Sequence, residues 1–577
     1  MVTKRHKQEG IARPAWGWRS SLVTVVFLAS AAVMLVRAVD LQVLRNDFLQ
    51  DQGQARHLRV VEMPAHRGMV TDRNGEPLAV STPVSAVWVN PQALEVTPDQ
   101  FVELANILDE DPVELRDMIG ARLDREFVYL QRQVPPDLAG RVEALGIPGV
   151  HLQREYKRFY PAGEVTAHLL GFTDIDDRGQ EGLELAFDEW LRGEAGAKRV
   201  LRDRIGRTIQ QVAQLKPARP GQQLATSIDL RLQYIAYREL KAAIQANDAV
   251  SGSIVVLDVE TGEVLALANQ PSYNPNNRSA ANASAFRNRA VTDQFEPGSS
   301  FKPFPVAAAL ESGQFTPRTR VDTAPGFLKV SGYSISDTRN YGEIDVTTVL
   351  KKSVNVGASK IALALEPGQL WSSLARFGFG SVTGSGFPGE AAGLLPHWQR
   401  WREVTQATLA YGYGLSVTPL QLAQAYAVIA ADGARLPVSF VKIDEPGFRE
   451  QVVSPETARD MRRMLETVVS PDGTGTRAAV SGYRVAGKTG TARKAVSGGY
   501  AEDRHYAVFA GMAPASDPRL VTVVVINEPR AGDYYGGEIA APVFANVMAG
   551  GLRLLNVVPD HDELREPGRL VAGRLEP

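Results

Sequence analysis

An uncharged run near the start of the chain constrains everything that follows it. SSLVTVVFLASAAVMLV, residues 20–36, holds no charge before Arg37. Its seventeen residues, if helical, span about 26 Å, the short end for a bilayer crossing, and Ala38, Val39 and Leu41 can lengthen it. Lys4, Arg5, Lys7, Arg13 and Arg19 precede it against Glu9 alone, a basic flank that puts the N-terminal side in the cytoplasm. Ala29-Ser30-Ala31 has the small-residue spacing of a cleavable signal, but the apolar run continues to Val36. That favours an anchor over 20–39 behind a cytoplasmic tail of 1–19. On either reading, residues after 40 fold outside the cytoplasmic membrane.

Those residues are numerous enough for more than one core: the chain has 577 residues, 44% of them apolar. With 63 Lys+Arg against 65 Asp+Glu there is no chain-wide basic field for nucleic acid. No cysteine is present, which excludes disulfides, thiolate-held metals and a thiol nucleophile. The eight histidines show no HExxH or other ligand spacing, so neither a metal nor another cofactor is expected. Chemistry must come from local groups.

The pattern divides the chain at KPARPGQQ (216–223), a Pro/Gly-rich boundary. Residues 40–224 mix short strands and helices, including a hairpin in MVTDRNGEPLAVS (69–81) around Asn74-Gly75, and read as a pedestal without chemistry. Beyond it, Ser227 or Asp229 caps a helix over 226–244, and 252–268 is a hairpin around Glu260-Thr261-Gly262. Segments 482–494, 505–514 and 519–529 read as three further strands, while 299–480 is mostly helical. One antiparallel sheet built from both ends of a domain spanning 225–560, with helices packed on it, follows from this order. Residues 561–577 read as a charged tail.

The chemistry-bearing stretch is FEPGSSFKPF (295–304). On a helical turn, Ser299 and Lys302 share a face, so the Lys302 amine reaches the Ser299 hydroxyl. Serine needs a base to become nucleophilic, and a lysine supplies one when burial or a second cation lowers its pKa. Pro297-Gly298 set Ser299 at a helix start, and Pro303 and Pro305 imply an irregular first turn. Ser439-Phe440-Val441-Lys442 has the same letters, but in a strand its Ser and Lys point to opposite faces. Ser353-Val354-Asn355 offers a hydroxyl and an amide to one cleft, whereas Ser272-Tyr273-Asn274 lies between prolines and reads as a turn. Lys488-Thr489-Gly490-Thr491 brings a second cation, hydroxyls for a carboxylate and a glycine that admits a ligand to the backbone. Gly384–Gly389 fits GxGxxG but contains Pro388 and opens no helix after a strand, so it is a loop. SxxK, SxN and KTG in that order point to serine acyl transfer.

With RNRAVTDQFEPGSSFKP (287–303), YGYGLSVTPLQLAQAY (411–426), KTGTARK (488–494) and the run 513–550, the chain resembles division-specific class B penicillin-binding proteins of the FtsI type. RGMVTDRNGEPLA (67–79) and 158–184 extend the likeness through the first domain. The resemblance implies an α+β chain with one transmembrane helix, an elongated pedestal and a serine β-lactamase-like transpeptidase domain. It implies a periplasmic peptidoglycan D,D-transpeptidase of the inner membrane, acting on stem pentapeptides and acylated by β-lactams. Ser299 would be the nucleophile, Lys302 its base, and Ser353 a proton relay. Asn355 would orient substrate and Lys302, while Lys488, Thr489 and Thr491 bind the terminal carboxylate beside Gly490. The Ser299 and Thr491 amides would form the oxyanion hole. Tyr411, Tyr413, Tyr500, Tyr534 and Tyr535 would wall the cleft. An FtsW-type lipid-II polymerase and other divisome proteins are the implied partners. Residues 356–487 contain no asparagine, which disfavours class A β-lactamase deacylation, and 40–224 lack the EDxxFxxHxG run of a glycosyltransferase. A β-lactam sensor or a non-catalytic scaffold is the alternative reading. Sensors carry several spans, against the one seen here.

Overall fold

The computed structural model describes residues 17–44, 58–202, 208–279, 282–445 and 447–561. Most of the expected N-terminal tail (1–16) and of the C-terminal tail (562–577) lies outside the described residues. The apolar run forms a helix, Gly17–Val39, with no buried residue. Its 23 residues are long and apolar enough to cross a bilayer.

By contacts the chain forms two units, and it passes between them several times rather than once near residue 224. The first comprises 1–64, 85–155 and 195–219; the second comprises 65–84, 156–194 and 220–577. In the first, the helices Pro98–Leu108, Pro112–Gly120 and Pro136–Ala144 pack Phe101, Leu104, Leu115 and Val142 against Val87, Val89, Val128 and Leu130. Thr97 and Gln100 close a capping box at the first of these helices. A separate antiparallel ladder joins Leu58–Met63, Gly196–Arg202 and Thr208–Lys216.

Segments 65–84 and 156–194 are tied to each other by a buried ion network, and to the rest of the second unit by hydrogen bonds such as Arg73 N–H to Ile228 O at 2.8 Å and Gln233 Nε2 to Val165 O at 2.7 Å. Glu184 is fully buried and accepts from Arg67 Nε at 2.7 Å and Arg158 Nε at 2.6 Å, and Arg67 also reaches Asp188 at 2.7 Å. A carboxylate this deep persists only with its charges paired. The hairpin expected around Asn74-Gly75 is present, with the Asp72 carboxylate accepting the amides of Asn74 and Glu76 at 2.7 and 2.9 Å.

The sheet of the second unit has five strands: β1 (Ser251–Asp258), β2 (Val264–Gln270), β3 (Ala486–Val496), β4 (Gly499–Ala513) and β5 (Leu520–Asn527). Their order is β2-β1-β5-β4-β3, antiparallel throughout, so the early and late strands of the domain meet where β1 pairs β5. Alternation splits each central strand between two cores. Ile254, Val256, Phe509, Val524 and Ile526 face α1 (Leu230–Ala246) and α5 (Gly536–Leu554). Val255, Leu257, Val508, Val523 and Val525 face the helices between the strand groups, among them α2 (Pro303–Glu311), α3 (Asn355–Leu363) and α4 (Pro419–Ala430). Asp229 is the cap of α1, while the Ser227 hydroxyl donates to Val264 O. Three small antiparallel pairs interrupt the region expected to be helical: Arg320–Asp322 with Glu343–Asp345, the hairpin Phe327–Val330 with Tyr333–Ser336 that they enclose, and Ala434–Arg435 with Glu450–Gln451.

Candidate active site

Ser299 sits in a 3₁₀ turn, Gly298–Phe301, immediately ahead of α2. Pro303 falls at the first position of α2, where its missing N–H is harmless, so the irregular turn expected from the prolines is accommodated. Gly298 has φ +55°, and a Cβ there would stand 3.0 Å from Thr491 O. Gly490 is as tight, since its Cβ would meet Pro297 O at 2.8 Å and Ser300 Oγ at 3.0 Å. Two glycines therefore let β3 lie directly against the turn bearing Ser299.

The three motifs converge on a single hydroxyl. Lys302 Nζ lies 2.9 Å from Ser299 Oγ, 3.1 Å from Ser353 Oγ, 2.7 Å from Ser353 O and 2.7 Å from Asn355 Oδ1. Lys488 Nζ lies 3.0 Å from Ser353 Oγ and 3.2 Å from both Thr489 O and Thr489 Oγ1. Ser353 thus bridges the two amines, and it does so from a left-handed backbone, φ +60°, between two helices.

Both lysine side chains have no exposure. Burial, then the neighbouring Lys488 charge, holds the Lys302 amine well below the ordinary lysine range, with Asp337 pulling the other way. Burial lowers Lys488 to about 7. The partners of Lys302 fit a neutral amine. Ser353 O and Asn355 Oδ1 can only accept, so they take its two N–H groups and leave the lone pair to the two hydroxyls, Ser299 at 2.9 Å and Ser353 at 3.1 Å. The Asn355 Nδ2 contact to Ser336 O, 3.4 Å, turns the amide oxygen toward Lys302.

Thr489 Oγ1 meets Thr474 Oγ1 at 3.0 Å, and Thr491 Oγ1 accepts the Gly536 N–H at 3.1 Å where α5 begins. Of the expected aromatic wall, Tyr411, Tyr413 and Tyr500 cluster, with ring centroids 5.6 and 5.3 Å apart. Tyr413 Oη accepts the Arg493 N–H on β3, and Tyr500 Oη donates to Glu296 Oε1, three residues before Ser299. Tyr534 and Tyr535 form a separate pair whose rings are 4.5 Å apart, with Tyr534 stacked on His505.

The decoy motifs go elsewhere. Ser439 Oγ donates to Val441 O and Lys442 Nζ to Arg73 O. Ser272 donates to Glu164 O, and Asn274 caps its own turn. Gly384, Gly386 and Gly389 all have positive φ in a loop. Sequence reasoning missed Asp337, Thr474 and Glu296, which lie outside any motif. Among the described residues no group of His, Asp and Glu could hold a metal ion.

The family comparisons agree with this geometry. Residues 252–549 match the penicillin-binding protein transpeptidase domain, and residues 62–226 match the penicillin-binding protein dimerisation domain. The chain is 46% identical over 548 residues to the peptidoglycan D,D-transpeptidase FtsI of Escherichia coli, covering 94% of this chain and 93% of that one. It is 44% identical to the probable peptidoglycan D,D-transpeptidase PbpC of Pseudomonas aeruginosa, covering 94% and 96%. Among solved structures, the transpeptidase domain of Burkholderia pseudomallei penicillin-binding protein 3 is 46% identical, with TM-score 0.54 over 58% of this chain and 98% of that one. Penicillin-binding protein 3 of Mycobacterium tuberculosis, complexed with aztreonam, is 28% identical, with TM-score 0.67 over 87% and 98%. A serine held by two buried lysines, inside matching domains and among relatives alike over nearly their whole length, places this chain in the FtsI family of penicillin-binding proteins.

Proposed function

We propose that the protein is a septal peptidoglycan D,D-transpeptidase working through an acyl-enzyme on Ser299. The observation that carries this is the hydrogen-bond inventory of Lys302, a fully buried amine with two pure acceptors for its N–H groups and the Ser299 hydroxyl 2.9 Å away. Ser299 Oγ attacks the penultimate D-Ala carbonyl carbon of a stem pentapeptide as its proton passes to Lys302 Nζ. The oxyanion is held by the amides of Ser299 and Thr491, an arrangement whose loss costs about 10²–10³-fold in rate. The C–N bond then breaks. A proton relayed through Ser353 Oγ, within 3.1 Å of both amines, reaches the leaving nitrogen, and D-Ala departs. An acceptor amine attacks the ester, Lys302 takes its proton, and the new amide frees Ser299. Water in place of the amine would give carboxypeptidase release from the same intermediate.

Lys488, Thr489 and Thr491 bind the terminal carboxylate, with Gly490 keeping the strand close. Tyr411, Tyr413 and Tyr500 flank the donor, and Tyr534 and Tyr535 edge the cleft at the start of α5. A β-lactam enters as a strained amide and stops at the ester. The basic flank of the apolar helix orients the N-terminus to the cytoplasm and the catalytic unit to the periplasm. An FtsW-type polymerase would supply the glycan strands.

Fluorescent-penicillin labelling of the wild type, Ser299→Ala and Ser439→Ala tests the site. Labelling should vanish only in the first variant, and equal labelling of all three overturns the assignment. Transfer of a D-Ala-D-Ala or thioester donor to an added D-amino acid separates the enzyme from a sensor, which would acylate without transfer.

A further inference from the structure

The amide of Asn355 is aimed by a group that none of the three motifs contains. Asn355 opens α3, and Val354 at the cap position offers no polar side chain to the free amides of the first turn. Asp337 supplies the missing acceptors from just beyond the strand Tyr333–Ser336. Its Oδ1 accepts the Asn355 N–H at 2.5 Å and its Oδ2 the Val356 N–H at 3.1 Å. Its own N–H donates to Gly326 O at 3.0 Å, which ties the carboxylate to the neighbouring hairpin. A two-point grip of this kind fixes how the first turn is rotated. From that turn Asn355 Oδ1 meets Lys302 at 2.7 Å.

Asp337 also acts by charge. It favours the protonated form of Lys302, and it adds to burial and Tyr413 in pushing the Tyr411 phenol up to about 12. Lys488 acts on Lys302 in the opposite sense. The only other polar groups on the Lys302 amine are neutral: Ser299, Ser353 and Asn355.

We infer that Asp337 is a positioning residue for acylation: its carboxylate clamps the start of α3 so that Asn355 orients the base, and its charge offsets the repulsion between Lys302 and Lys488. The inference rests on the transpeptidase reading above. Its test is the pH dependence of fluorescent-penicillin acylation by the detergent-solubilised full chain. In the wild type the rate rises with pH as Lys302 loses its proton. Asp337→Asn removes the charge that retains that proton, so the rising limb moves to lower pH, and the plateau falls by up to about 10²-fold as alignment is lost. Asp337→Glu keeps the charge in a longer arm, so its plateau falls while the limb stays at the wild-type position. Asp337→Ser, an uncharged acceptor, repeats the charge test if the asparagine variant is not recovered folded. An unmoved limb in the uncharged variant overturns the role of Asp337 and leaves the transpeptidase reading standing. Absence of Ser299 acylation in the wild type overturns both.

Discussion

Replacing Lys488 with methionine should stabilise the protein at neutral and acid pH while abolishing acylation. The side chain has no exposure, and burial takes its amine from 10.5 to about 7. At about 1.36 kcal/mol per pH unit, that displacement is a cost of about 5 kcal/mol below about pH 7, where both the folded and the unfolded chain hold the proton. Methionine fills a similar volume without it. Against the gain stand the contacts to Ser353 Oγ and Thr489, at about 1 kcal/mol each. Ser353 keeps Lys302 and Thr489 Oγ1 keeps Thr474, so neither hydroxyl is orphaned. The net gain is therefore about 3 kcal/mol below pH 7. Its sign against pH follows from proton counting. Between about 7 and 10.5 the unfolded chain holds a proton at Lys488 that the folded chain has released, so wild-type stability climbs through this window. The variant lacks that climb, and its advantage must shrink across the same window. Thermal unfolding of the detergent-solubilised chain at pH 6, 7.5 and 9.5, read at the transition that moves when a β-lactam is bound, measures the difference as several degrees. A variant less stable at pH 6, or an advantage constant from pH 6 to 9.5, would refute the reasoning.

Two further substitutions probe packing rather than protonation. Gly490→Ala puts a Cβ 2.8 Å from Pro297 O and 3.0 Å from Ser300 Oγ, so the nucleophile's turn must shift. The expected result is a stability loss of about 1–3 kcal/mol with slower penicillin acylation, and wild-type acylation kinetics would contradict it. Glu184→Ala strands Arg67 and Arg158, which are 1% and 6% exposed, and should cost about 3–5 kcal/mol in urea unfolding, nearer the lower figure because Asp188 still holds Arg67. A change below about 1 kcal/mol would mean that the guanidiniums find water.

The groups legible in the sequence were those whose partners are local or carry a motif. Ser299 and Lys302 are three residues apart, and a single turn joins them. The five-strand sheet was legible because β1, β5 and residues 507–513 of β4 are apolar runs buried on both faces. Asp337 was not legible, since its grip on Asn355 spans 18 residues and two different elements, with no fixed spacing to announce it. The hairpins within 320–345 were missed because strands of three or four residues, such as RVD and YSIS, are too short for alternation to register. The return of 65–84 and 156–194 to the catalytic unit rests on pairs such as Thr226 Oγ1 with Thr71 O, 155 residues apart, and Gln233 Nε2 with Val165 O, 68 apart, which no window reads.

What the sequence could announce but not weigh is how unfavourable the site is. Two amines without exposure share one hydroxyl, and a carboxylate that desolvation itself pushes upward acts by charge on the first. Burial and like charge both oppose protonation at Lys302, and a structural lysine would gain nothing from either. A general base gains the unprotonated form near neutral pH. The same desolvation that makes Lys488 costly to fold leaves a weakly held proton beside Ser353, where a leaving amine needs one. On the proposed acyl-transfer mechanism, stability given up at these positions is reactivity gained at Ser299, and a substitution that restores the former should remove the latter.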